Sequence, residues 1–200
     1  MGPGLPEIGL PEIGLTGNGL PGSDLSGLEF AVKARQADTT GQPGFGIDLQ
    51  LSQRQALVLQ GDRGLSKKGE GSASYYYSLP GLDLTGTLQL PSGQVAVTGR
   101  AWLDREWSTS VLSEGLAGWD WFSLQLKDGR SVMAFRLRRY DGTRDDFDHG
   151  MVVAAGTPVN RVLGAGDPGV QVLSPADFEL QPARYWQDER GSHWPVARWL

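Results

Sequence analysis

The chain has 200 residues, 39% hydrophobic and 20% charged, with a formal net charge of −5, a profile that fits one globular domain or two small ones. The acidic balance excludes a general nucleic-acid binder, because backbone phosphates demand a basic face. The lack of cysteine excludes disulfides and thiolate catalysis, two histidines argue against a histidine-rich metal site, and no apolar run approaches the ~20 residues of a membrane span.

Glycine (29 residues) and proline (12) are frequent, which predicts short strands and many turns rather than long helices. Residues 1–26 repeat LPEIG twice and then echo Gly-Leu. Proline or glycine every few residues prevents helix and weakens strand pairing, so an extended or disordered leader is expected, without the pattern of a signal peptide. From Gly27, Phe30, Val32 and Ala34 alternate with charged residues, and after TTGQPG, Phe45, Ile47, Leu49 and Leu51 alternate with Gly46, Asp48 and Gln50. This predicts two antiparallel strands with one wet face. Residues 52–74 read as loop apart from Ala56 to Leu59, and Gly61 to Gly71, which lacks the spacing of a phosphate-binding loop, reads as a surface loop.

Tyr75, Tyr76 and Tyr77 open a strand, followed by Leu82, Leu84, Gly86, Leu88 and Leu90 at period two, a Pro91-Ser92-Gly93 turn, and Val95 and Val97. Further on, Phe122, Leu124 and Leu126 alternate with polar residues, Asp128-Gly129 marks a hairpin, and the return strand sets Met133, Phe135 and Leu137 on one face. A turn at Tyr140 to Thr143, a strand from Met151 to Ala155, a Gly/Pro-rich loop over 156–170 and short strands around Val170 to Leu173, Tyr185-Trp186 and Val196 to Leu200 complete the chain. The succession predicts an all-β fold, an antiparallel β-barrel or sandwich.

The unusual residues concentrate in Ala101 to Leu126, which holds Trp102, Trp107, Trp119 and Trp121, four of the seven tryptophans, with Asp104, Glu106 and Asp120 among them. On an extended strand Trp102, Asp104 and Glu106 share one face, with the two carboxylates roughly 7 Å apart. That spacing suits an acid/base pair or a cation-ligand pair, and equally a structural network with arginines such as Arg100, Arg136 or Arg138. Asp120 falls on the face of Phe122 and Leu124, the side expected to be buried, where desolvation raises a carboxyl pKa unless a partner holds its charge. Trp119 and Trp121 take the opposite face, as cavity wall or second core layer. His149, in DDFDHG, is a candidate proton shuttle or metal ligand, although a lone loop histidine is usually neither.

DREWS at 104–108, GWDWFSLQLKDG at 118–129, GDRGLSKKG at 61–69 and SYYYS at 74–78 together resemble the carotenoid 1,2-hydratase-like family, which includes the AttH-type proteins and predicted secreted hydrolases. The resemblance implies lipocalin-like β-units: residues 27–112 as the C-terminal part of a first and 113–200 as the N-terminal part of a second, both incomplete, which leaves self-association open. It also implies a hydrophobic isoprenoid or lipid ligand, no cofactor, and an exported or periplasmic setting. In the hydratase branch a carboxylic acid protonates a C=C bond and water adds to the cation. Carried onto this chain, Asp104 or Asp120 is the donor and Glu106 the water-orienting base. Trp102, Trp107, Trp119 and Trp121 are the cation-stabilising, ligand-binding walls. A carrier in which the same acids are structural, or an inactive fragment, is the alternative.

Overall fold

The computed structural model describes residues 12–15, 27–35, 44–108, 113–180, 182–189, 191 and 193–199. Most of the leader and most of TTGQPG lie outside the described residues. Among the described residues all regular structure is β-strand, and the strands pair antiparallel apart from one two-residue parallel pair. The fold is all-β and antiparallel, as the periodicities predict. The chain divides into two compact units: Met1–Leu59, Tyr77–Arg105 and Ala155–Leu163 form unit 1, and Gln60–Tyr76, Glu106–Ala154 and Gly164–Leu200 form unit 2.

In unit 1, β1 (Glu12–Leu15), β2 (Glu29–Arg35) and β3 (Gly46–Gln53) lie in succession, and β3 pairs with β6 (Ser72–Leu90). The alternating apolar residues meet in register: Phe30 opposes Leu51, which opposes Leu84. Directly opposed residues of an antiparallel pair point to the same side, so these rows build one apolar face. Phe30, Leu51, Leu79 and Leu82 form its buried core, with Leu28, Val32, Leu57, Leu84, Ala101 and Leu103 packed against them. Phe45, expected to start β3, precedes the strand and is exposed.

The sequence reads residues 72–90 as a strand start followed by a separate run, whereas β6 is one strand of 19 residues. Buried Pro80 does not break it, because it sits between two partners. Toward its N-terminal side β4 (Leu57–Leu59) pairs with Tyr77 and Ser78, and toward its C-terminal side β3 begins pairing at Leu82. Proline, which has no N–H to donate, is tolerated where a ladder changes partner. β7 (Gly93–Trp107) follows the Pro91-Ser92 turn and pairs with β6. The loop expected over 156–170 contains β11 (Val162–Leu163), parallel to β4, and Thr157 Oγ1 accepts the Ala56 N–H at 3.4 Å.

In unit 2 a second difference appears: Leu65–Gly69, expected to be loop, is strand β5 and pairs with Ser72 to Tyr75. Its buried position is Ser66, opposite buried Ser74, so no apolar alternation marks it. Gly61 and Gly64, both at positive φ, turn the chain into it, a backbone region open to glycine at little cost. The rest of unit 2 is a four-stranded sheet ordered β12 (Val170–Leu173), β10 (His149–Val153), β9 (Ser131–Arg139) and β8 (Leu116–Gln125), plus the hairpin β13 (Pro182–Gln187) and β14 (His193–Trp199). The hairpin joining β8 to β9 turns at Asp128-Gly129 as expected, closed by Leu126 N to Arg130 O at 2.8 Å.

Candidate functional site

Register decides which side chains of the four-stranded sheet share a side. Trp119 opposes Leu137, Trp121 opposes Phe135, and Phe135 in turn opposes His149; Ser123, Met133, Met151 and Val172 form the next row. Met133, Phe135, Leu137 and Met151 are all nearly inaccessible, so this is the inner side. Trp119 and Trp121 therefore lie on this inner side, and Asp120 and Phe122 on the opposite, outer side, which is also partly covered: the Asp120 side chain is 11% exposed and Ala134 6%. β8 is the last strand in the order of this sheet, and its inner rings remain partly open, with Trp119 52% and Trp121 40% exposed.

Four groups from β5, β6 and β7 join this inner row. The indole N–H of Trp121 donates to the Tyr76 hydroxyl at 3.1 Å. The Lys68 ammonium lies 5.1 Å from the Phe135 ring centroid and contacts Glu106 at 2.5 Å. Ser74 donates its hydroxyl to the same Glu106 oxygen. The cluster thus runs from Ser74 through Glu106 and Lys68 to Phe135, and on to His149, whose ring lies 6.1 Å from Phe135. A guanidinium or ammonium over an aromatic face is attracted by the ring quadrupole, so Lys68 ties the carboxylate to the aromatic row.

His149 sits in this row with its Nε2 buried and without a hydrogen-bond partner among the described residues. Burial pushes its imidazole below the ordinary value of 6.5, because desolvation penalises the charged form. At neutral pH the ring is neutral and offers no charge to a ligand.

The remaining sequence-predicted residues are placed as follows. Trp107 is 52% exposed and lies 6.2 Å from the Tyr75 ring. Asp104 belongs to unit 1, where it accepts the Ser78 hydroxyl. Trp102, also in unit 1, has a buried Nε1 with no acceptor among the described residues. Asp120, on the outer side, faces Arg138 at 3.6 Å and opposes Arg136 in register. Arg100, a suggested partner of Asp104 or Glu106, pairs with Asp83 at 3.4 Å.

Glu106 and Trp121 are thus brought to one face, Trp119 stands beside them, and Asp120 is on the other side. Lys68, Ser74, Tyr76 and Phe135 were not candidate site residues from the sequence. The triple tyrosine was the one available signal; Lys68 had none, because β5 was not recognisable as a strand. The face offers apolar rings with open edges, an ion-paired carboxylate that can accept a hydrogen bond from water, and π-surfaces that favour an adjacent cation. Among the described residues no group of three or more acidic, histidine or cysteine side chains is arranged to hold a metal.

Comparison with known proteins agrees with this β-architecture. A crystal structure described as an AttH, from Nitrosomonas europaea, is similar over 84% of this chain and 48% of its own, at 32% identity and a TM-score of 0.70. Kievitone hydratase from Nectria haematococca is similar in fold over 83% of this chain and 47% of its own, at 19% identity and a TM-score of 0.58. The chain therefore spans about half the length of these relatives. Among curated proteins no match was found. The family model described as AttH-like matches residues 24–200, and the chain belongs to the AttH-like family.

Proposed function

We propose that this protein is hydratase-like, taking a hydrophobic isoprenoid or lipid ligand on the inner aromatic side of the unit-2 sheet and adding water across a C=C bond. The observation that carries the reading is the Ser74–Glu106–Lys68–Phe135 cluster, which sets an acceptor carboxylate beside the rings of the Trp121 row. AttH-like membership and the fold shared with a hydratase support it.

In the proposed reaction a carboxylic acid gives its proton to one alkene carbon, the role that the family resemblance carries to Asp104 or Asp120. The resulting cation is stabilised by the faces of Trp107, Trp119 and Trp121. Water held by Glu106 then forms the C–O bond and passes its extra proton to that carboxylate. Asp120 pairs with Arg138 and lies on the side of the sheet opposite Trp121, which weighs against it as donor to a ligand on the inner side.

A second reading, a non-catalytic carrier, is favoured by the same ion pairs: Glu106 on Lys68 and Asp120 on Arg138 are what structural acids look like. Incubation with lycopene-like and fatty ligands, followed by mass spectrometry, separates the two. Catalysis yields a product heavier by one water. Glu106→Gln and Asp104→Asn then lower turnover by roughly 10²-fold or more while binding persists. Binding without product establishes the carrier, and full turnover in Glu106→Gln, Asp104→Asn and Asp120→Asn alike overturns the assigned roles.

A further inference from the structure

The outer side of the unit-2 sheet holds a cleft of about 210 Å³ that the proposed reaction does not use; it is lined by Arg136, Arg144, Asp148, Phe178, Glu179 and Leu180. We propose that this cleft is a second binding site, for a small carboxylate held by Arg136, Arg144 and Asp148. Two guanidiniums on one small cleft supply far more donors than the protein consumes. Arg136 gives Nη1 to Leu180 O at 2.9 Å, while its Nε is buried with no acceptor among the described residues. Arg144 gives Nη2 to both Pro175 O and Phe178 O, each at 2.5 Å. A guanidinium carries five N–H donors in a planar fork that matches a carboxylate. The arginines thus pin the 175–180 segment over the sheet and retain donors for a ligand, whose apolar end would meet Phe178 and Leu180.

Asp148 completes the donor set. It is 3% exposed, and its Oδ1 accepts the Leu137 N–H at 2.7 Å. Burial, and Asp145 beside it, raise its carboxyl above the ordinary value of 3.8, against the Leu137 N–H, Arg136 and Arg144, which lower it. Of the other charged groups around it, Asp145 pairs with Arg139 at 3.1 Å, and Glu179 lines the same cleft, where its carboxylate opposes an anion. Protonated, Asp148 can donate to a bound carboxylate; ionised, it repels one. Affinity therefore rises as pH falls and Asp148 takes up its proton.

Trifluoroacetate, which stays ionised throughout, tests the site by ¹⁹F NMR as pH is lowered from 8. A saturable shift that strengthens as pH falls and is displaced by acetate is expected. Arg144→Gln should weaken binding by roughly tenfold or more, since it removes a charge-assisted donor pair. Asp148→Asn, with an amide that can still accept from Leu137, should bind with little dependence on pH. Circular dichroism confirms folding of each variant, with Arg144→Lys replacing Arg144→Gln should the latter unfold. The proposal is overturned by the absence of a saturable shift, by unchanged affinity in the folded Arg144 variant, by pH dependence that survives in Asp148→Asn, or by an equal shift with neutral trifluoroethanol.

Discussion

Lys68 joins the acidic and aromatic halves of the inner face, touching Glu106 through charge and Phe135 through its ring. Its side chain is 22% exposed and that of Glu106 36%, so solvent and salt screen the pair and the fold depends little on it. Lys68→Met, which keeps the apolar stem, should cost under about 1 kcal/mol in urea denaturation while lowering turnover, since Glu106 loses the group that orients it. A much larger loss of stability would instead assign the pair a structural role. His149 gives a prediction in pH. Its folded pKa lies below 6.5, so above 6.5 both states are neutral and nothing is lost. As pH falls from 6.5 toward the lowered folded value, the unfolded chain takes the proton first and stability declines. His149→Phe removes a buried nitrogen without a partner and should flatten this decline; thermal melts at pH 7.5 and 5.5 that fall equally in both proteins would contradict the assignment.

Among the elements, β6 most constrains its neighbours, and Gly86 shows how. Its φ is +154°, and a Cβ there would lie 2.2 Å from Asp48 O and 2.8 Å from Leu49 Cα of β3. Backbone cannot withdraw as a flexible side chain can, so Gly86→Ala should cost about 3 kcal/mol or more through strain and overpacking. A urea midpoint shifted by the equivalent of less than about 1 kcal/mol would mean that β3 and β6 can separate locally. The period-two runs in β2, β3 and β9 were readable because each buries one apolar face. β5 was not, because its buried position is a serine, and neither was β11, whose two residues are too few for a period to show. Which side of the β8 sheet carries its most buried row was not legible for a related reason. β8, last in the sheet order, carries apolar rings on both faces, and only its register with β9 says which face turns inward.

At the scale of the whole molecule, AttH-like membership and the all-β architecture agree with the resemblance carried by the segments at 61–69, 74–78, 104–108 and 118–129. The ligand proposal makes a prediction at this scale too. An apolar polyene or fatty ligand should quench tryptophan fluorescence saturably, and Trp121→Phe should weaken that binding several-fold, while Asp120→Asn, on the outer side, should leave it unchanged. Equal effects of both variants would remove the distinction between the two sides of the sheet. The sequence by itself determined the fold class, the principal hairpins, the family and the stretch rich in tryptophan and carboxylates, because these rest on alternation, turn chemistry and residue type, all local properties. Tertiary structure alone decided that Glu106 meets Lys68 and Ser74, that Asp120 meets Arg138, and that Trp121 reaches Tyr76. Those pairings depend on register and on strands up to 45 residues apart in the chain, and no spacing along one strand specifies which residue will stand across from it.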